Sequence, residues 1–162
     1  MTLSEKETAY LVKGLQKFCD RDCVAFTINC PRTHSFKKLQ SNDQKRLYKI
    51  IIRKALDKMD KTIIGCYEYT FEYCKDGHVH MHGIVHMNKG NNMVGYLMDL
   101  DRTLRLIINK LLNKKTPYKD CYNDNFKRIQ KPAYCLQLLL ELENIEHWYK
   151  YMYKDQPKSS DV

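Results

Sequence analysis

Histidines at positions 78, 80 and 82 alternate with Val79 and Met81, and His86 lies four residues beyond His82. Successive side chains of a β-strand point to opposite faces. A strand through this segment therefore carries His78, His80, His82 and His86 on one face and Val79, Met81, Val85 and Met87 on the other. One face is apolar and suits a core. The other is lined with imidazoles, which are common ligands of divalent metals.

The preceding segment supplies a partner strand. Residues 62–73 are rich in β-branched and aromatic side chains. They predict a strand with Ile63, Tyr67, Tyr69 and Phe71 on one face and Glu68, Thr70 and Glu72 on the other. Asp76-Gly77 is a strong turn signal, so the two strands form a hairpin. A three-residue loop of Lys75, Asp76 and Gly77, with Gly77 left-handed, pairs Cys74 with His78, Glu72 with His80 and Thr70 with His82. Opposed residues on one face have Cβ atoms about 5 Å apart. Glu72, His80 and His82 then make a compact donor set for a metal, with positions left open for water or a phosphate oxygen. A two-residue loop would set Glu72 opposite Met81 and spoil the cluster. His78 lies nearer the loop and reads as a rim residue, and Glu68 is a reserve ligand. The competing reading of this face is a polar sheet surface with solvated histidines.

The rest of the chain supplies elements to pack around the hairpin. Residues 4–18 predict a helix, with Ser4 and Glu7 at capping-box spacing and Leu11, Leu15 and Phe18 at helical intervals. Residues 23–29 predict a strand that Pro31 ends. Residues 42–59 predict a second helix with Ser41 and Gln44 as its cap and Tyr48, Ile51, Ile52, Ala55 and Met59 on its apolar side. Residues 93–113 predict a third, with the stripe Leu97, Leu100, Leu104, Ile108 and Leu111. Residues 133–141 read as a strand, although the leucine run also suits a helix. Asn144 is the expected N-cap of a last helix running to about Lys154.

With 162 residues, 43% apolar and 29% charged, the chain is sized and composed for one globular domain. Residues 1–156 are assigned to that domain and 157–162 to a tail or truncated linker. The net charge of +9 fits a polyanionic partner, nucleic acid first, or else serves solubility alone. No apolar run reaches the roughly 18 residues that span a bilayer, and no signal peptide is visible. Seven scattered cysteines without a C-x-x-C argue for a reducing compartment and against a disulfide framework. They read as small buried apolar residues.

Near the end stands Tyr151-Met152-Tyr153-Lys154-Asp155. Projected on a helix, Ile145, Trp148, Tyr149 and Met152 cluster as a buried stripe, while His147, Tyr151 and Lys154 fall opposite. Of the three tyrosines 149, 151 and 153, this selects Tyr151 as exposed, with a lysine one turn away.

Three segments taken together resemble the replication initiator (Rep) endonucleases of circular single-stranded DNA viruses, members of the HUH superfamily. Phe26-Thr27-Ile28-Asn29-Cys30-Pro31 is similar to the first family motif, F-T-[LI]-N-x-P. His80-Met81-His82 is similar to the second, with Glu72 eight residues upstream where the geminivirus-like branch has its acidic ligand. Tyr151 to Asp155 is similar to the third, Y-x-x-K with a following Asp. The match departs from the family in two ways. Sixty-eight residues separate His82 from Tyr151, more than geminivirus-like members carry, and a helix precedes the first motif. His147 stands where two-tyrosine relatives have their first tyrosine, which implies a single-tyrosine enzyme.

The resemblance implies an α+β fold: a central antiparallel sheet of about five strands flanked by helices, the ferredoxin- or RRM-like split βαβ arrangement. It implies a nickase and strand joiner that initiates rolling-circle replication. Tyr151 would be the nucleophile and Lys154 its catalytic partner. Glu72, His80 and His82 would hold Mn²⁺ or Mg²⁺, with Asp155 in reserve. Phe26, Thr27 and Asn29 would contact DNA. The substrate would be single-stranded DNA in a hairpin at a replication origin. Full-length viral members carry a helicase domain downstream; no Walker A pattern occurs in these residues, so the chain resembles either an excised nuclease domain, with that helicase domain following it, or a stand-alone one. A viral member would act in the host nucleus, and a prokaryotic virus or plasmid source would make it cytoplasmic. Rival readings are an HUH transposase or plasmid relaxase, a non-catalytic RRM-like nucleic-acid-binding module, and a metal-binding regulatory domain.

Overall fold

Strand β1 (Cys23–Ile28) is buried along almost its whole length because it lies in the middle of the sheet. The computed structural model describes residues 5–18, 22–29, 39–62, 64–88, 92–112, 121–122, 128–131 and 133–154. The other elements are α1 (Glu5–Leu15), α2 (Ser41–Asp57), β2 (Ile64–Tyr73), β3 (Val79–Met87), α3 (Met93–Leu112), β4 (Cys121–Tyr122), β5 (Arg128–Gln130), β6 (Tyr134–Leu139) and α4 (Leu142–Tyr153). The six strands form one sheet in the order β2-β3-β1-β6-β5-β4, with every paired neighbour antiparallel.

This order is two interleaved split βαβ units. β1 and β2 both run antiparallel to β3, so they are parallel to each other, joined through α2 with β3 between them. By the same reasoning β3 and β6 are parallel, and the connection between them contains α3, with β1 between the strands. The fold is α+β, an antiparallel sheet with helices on both faces.

The period-two alternation divides the core. Val24, Phe26 and Ile28 of β1, Val79, Met81, Val85 and Met87 of β3, and Leu136 and Leu138 of β6 pack under α2 and α3. Cys23 and Ala25, together with Ile84 and Leu139, pack under α1 and α4, against Leu11, Leu15, Ile145, Tyr149 and Met152. Burying a side chain of this size removes it from water at a gain of about 1.5–3 kcal/mol, so each helix is held mainly by its apolar stripe. Among the described residues, no helix is long and apolar enough to cross a membrane.

Several local expectations are corrected. Helix α2 has Gln40 at its N-cap, with no side-chain cap bond. Gln44 does not cap; its amide nitrogen donates to Leu39 O at 3.0 Å and its amide oxygen accepts from Val79 N at 2.9 Å, which ties the helix to β3. In α3 the stripe turns from Leu104 to Ile107 and Ile108, leaving Leu111 exposed. Helix α4 starts at Leu142, after Glu141 rather than Asn144. A bulge between Ile64 and Tyr67 shifts the parity of β2, so even-numbered Ile64 packs in the same core layer as Tyr69 and Phe71. Of the cysteines, Cys23 is buried while Cys66, Cys74 and Cys135 are only half-buried, and none of these four forms a disulfide. Ser4, Ile63, the 114–119 connection, Asp155 and the 157–162 tail lie outside the described residues, as does the Glu7 side chain.

Candidate functional site

The hairpin loop sets the site. Gly77 has φ +87°, a left-handed conformation that glycine adopts without steric cost. Gly77 N donates to Cys74 O at 3.1 Å, and Cys74 N donates to His78 O at 2.8 Å. The loop is Lys75-Asp76-Gly77, and the ladder above it pairs Glu72 with His80 and Thr70 with His82.

Ligating atoms of Glu72, His80 and His82 all lie within 4.8 Å of one another. Atoms sharing one ion at about 2.1 Å stand about 3 to 4 Å apart, so small side-chain torsions gather the three on a single centre. Two imidazole nitrogens and one carboxylate oxygen suit a divalent metal and leave coordination positions open. His78 stands apart from this group: its Nδ1 lies 2.9 Å from Asp76 Oδ2 in the hairpin. His86 is buried against Phe18, just past the end of α1, with ring centroids 6.2 Å apart.

His82 is held from two sides. Its Nε2 lies 2.6 Å from Glu72 Oε2, and its Nδ1 lies 3.0 Å from Thr27 Oγ1. Without a metal, Nε2–H donates to the Glu72 carboxylate; a metal would displace that proton, and with Nδ1 donating to the threonine the Nε2 lone pair would face the ion, since partners of this kind set the tautomer and orientation of a ligating histidine. The hydrogen bond from His82 holds the Glu72 carboxyl below the ordinary value of 4.5; partial burial opposes this, and the positive charges of His82, Lys154 and His80 add to it. Cys74 Sγ approaches His80 Nε2 at 3.5 Å.

Helix α4 is pinned over the histidine face by two polar contacts. Thr70 Oγ1 donates to Met152 O at 2.7 Å, and Trp148 Nε1 donates to Gly83 O at 2.8 Å. Both draw the helix toward the strands that carry the metal donors. Tyr151 is 40% exposed, yet it is not turned away from the sheet as the helical projection implied. Its ring centroid lies 5.3 Å from that of His82, nearly perpendicular to it, and 5.4 Å from that of Trp148, stacked at 25°. Lys154 Nζ sits 3.9 Å from the centre of the Tyr151 ring and 3.8 Å from Glu72 Oε1. The other two tyrosines are committed elsewhere. Burial pushes the Tyr149 hydroxyl well above its ordinary value of 10, with a hydrogen bond to Glu68 acting in the same direction. Tyr153 is half-buried and tilted against Tyr149 at 5.0 Å.

The first-motif residues divide. Thr27 reaches the site through His82. Phe26 is fully buried on the opposite, helix-covered face, which corrects the expectation that it contacts DNA: it has no surface to offer. Asn29 is half-buried just past the end of β1, its N–H donating to Ala133 O at 2.8 Å. Glu68 lies outside the metal group, bonded to Tyr149 beneath α4. Sequence reasoning missed Trp148 as a site residue. The available signal was its place as the chain's only tryptophan, one helical turn before Tyr151.

Comparison with protein-family models, with curated proteins and with solved structures returned no match.

Proposed function

We propose that this protein is a metal-dependent nickase and strand joiner of the HUH class, acting on single-stranded DNA to start rolling-circle replication. The observation that carries the reading is the convergence of Glu72, His80 and His82 within 4.8 Å, with the Tyr151 ring 5.3 Å from that of His82. Four features support it further: Lys154 beside both Tyr151 and Glu72, the Thr27–His82 contact, the split βαβ sheet, and a net charge of +9 suited to phosphate backbones.

Glu72, His80 and His82 would hold a divalent ion, Mn²⁺ or Mg²⁺, which would supply Lewis acidity toward the scissile phosphate; nitrogen donors favour Mn²⁺. The Tyr151 hydroxyl attacks phosphorus, a P–O bond to Tyr151 forms, and the bond to the 3′-oxygen breaks. The phenolic proton is lost to solvent and the departing oxygen takes one up as a 3′-hydroxyl, so the step is balanced. The 5′-phosphate stays esterified to Tyr151, and a later 3′-hydroxyl reverses the step and joins strands. Lys154 stabilises the developing phenolate through its charge. Trp148 holds the plane of the Tyr151 ring. The substrate is single-stranded DNA at a hairpin origin.

The test is a labelled single-stranded origin oligonucleotide incubated with protein and Mn²⁺, followed by a denaturing gel. A protein–DNA band that survives denaturation, vanishes in EDTA and is absent from Tyr151→Phe supports the reading. A band that persists in Tyr151→Phe but is lost in Tyr149→Phe or Tyr153→Phe removes Tyr151 from the role.

A further inference from the structure

Strand β2 forms one outer edge of the sheet, with β3 on one side and, among the described residues, no strand on the other. Beyond its bulge, Tyr67, Tyr69, Phe71 and Tyr73 all point to the face opposite Glu72. Tyr67 and Tyr69 stack with centroids 6.4 Å apart, and Tyr69 meets Phe71 edge-on at 5.6 Å. The inner rungs lean on the core, but the ends do not: Tyr67 is 40% and Tyr73 60% exposed. Cations from α2 overlie the row. Lys45 Nζ stands 4.5 Å from the Tyr73 centroid and 5.5 Å from that of Phe71, and Lys49 Nζ stands 5.8 Å from that of Phe71. Arg46 and Arg53 are exposed on the same helix.

Core packing does not account for this row, because its two end rings are left in water on an edge strand, where exposed apolar surface invites aggregation. A protein partner does not suit it either, since lysine is depleted at protein interfaces. Aromatic faces interleaved with lysines are the means by which proteins hold unpaired bases and their phosphates.

We propose that the Tyr67–Tyr73 edge is a stacking platform for single-stranded DNA, which continues around the sheet edge from the histidine face. Tyr73 and Glu72 are adjacent in sequence and point to opposite faces, so a strand leaving the cluster crosses β2 beside the hairpin loop and meets Tyr73 first. The platform extends about 20 Å along the strand. The inference rests on the nucleic-acid reading above, and it adds a binding surface remote from the metal donors.

The experiment measures anisotropy of a fluorescein-labelled oligothymidylate of about 20 nucleotides, long enough to cover several stacking positions, in EDTA so that no cleavage intervenes. The double variant Tyr67→Ala/Tyr73→Ala is expected to weaken binding at least about tenfold. Tyr67→Phe/Tyr73→Phe, which keeps both rings, is expected to restore it. Lys45→Ala should lower the slope of log affinity against log salt by about 0.7. Affinity within twofold of wild type in the alanine variant, or equal loss in the phenylalanine variant, overturns the platform. Wild-type protein photocrosslinked to bromodeoxyuridine DNA gives a reading that requires no variant to fold. Crosslinks at Tyr67 or Tyr73 support the proposal, and crosslinks confined to the histidine face overturn it. A Tyr151 adduct combined with unchanged alanine-variant binding ends the platform and leaves the nickase. Lost alanine-variant binding without any adduct from wild type supports the platform and ends the nickase. No binding of any oligonucleotide overturns both.

Discussion

Thr27 Oγ1 stands 3.0 Å from His82 Nδ1, so a side chain of β1 fixes the ring of a histidine on β3. The two residues are directly opposed across the ladder, and the contact follows from sheet register alone. Replacing Thr27 by valine keeps the volume and removes the hydroxyl. Mn²⁺ affinity measured by titration calorimetry is expected to fall about 10- to 100-fold in Thr27→Val, the usual cost of losing such a partner, and to return in Thr27→Ser. Equal affinity in wild type and Thr27→Val would mean that the ring is held without the hydroxyl.

Glu72 carries a pH signature. Its hydrogen bond with His82 lowers its folded value below 4.5. A carboxylate depressed in the folded state adds stability that is fully present above the unfolded value and is lost as pH falls through the folded one. In metal-free protein, the melting temperature of wild type should therefore fall relative to Glu72→Gln as pH drops below about 4.5. Parallel melting curves for the two proteins across that range would show that Glu72 makes no such contribution.

The legible part of this molecule was whatever alternation and turn chemistry determine. Asp76-Gly77 marks the hairpin, and of the two loop lengths open to it the three-residue one, with Gly77 left-handed, is found and sets Glu72 opposite His80. What escaped the sequence depends on how elements pack. A helical projection orders the side chains of α4 around its axis but does not say which sheet residues border each flank. The motif resemblance, rather than the projection, sets Tyr151 over the metal donors, and its ring does lie beside His82; its stack on Trp148 was not legible. Phe26 follows the same logic in reverse. Its place in a motif suggested a contact, but odd-even parity with Val24 and Ile28 puts its ring in the helix-covered core. Gln44 resembled a cap by spacing, and tertiary structure used its amide to bridge Leu39 and Val79 instead. The two-residue strand β4 and the short β5 carry too few residues to show a period.

Gly83 is where the two faces of the sheet compete for space. A methyl group there would collide with the Phe26 ring at Cζ on the core side, while the Gly83 carbonyl accepts the Trp148 indole N–H. Phe26 is a rigid ring with no exposed surface, so it has little room to yield. Gly83→Ala is expected to cost about 1–3 kcal/mol through overpacking, read as a shift in the denaturant midpoint with an unchanged slope. Adduct formation should fall as well, because β3 moves relative to α4. A Gly83→Ala protein as stable as wild type would show that the Phe26 ring can leave its site.

Trp148 makes the site observable without DNA. It is the only tryptophan, and its ring centroid lies 5.8 Å from that of His82, so paramagnetic Mn²⁺ bound at Glu72, His80 and His82 must quench its emission at short range. Wild type should show saturable quenching that EDTA reverses. His80→Ala or His82→Ala should move the midpoint at least about tenfold, consistent with the loss of a ligand. The same indole tests the positioning of Tyr151. Trp148→Phe removes the N–H bond to Gly83 O, worth about 0.5–1.5 kcal/mol, and narrows the surface on which Tyr151 stacks, leaving the metal donors untouched. Adduct formation should therefore slow while Mn²⁺ affinity by calorimetry stays at the wild-type value. Quenching that rises linearly with Mn²⁺, and equally in wild type and His80→Ala, would mean that the ion meets the indole only by collision and that the three donors hold none.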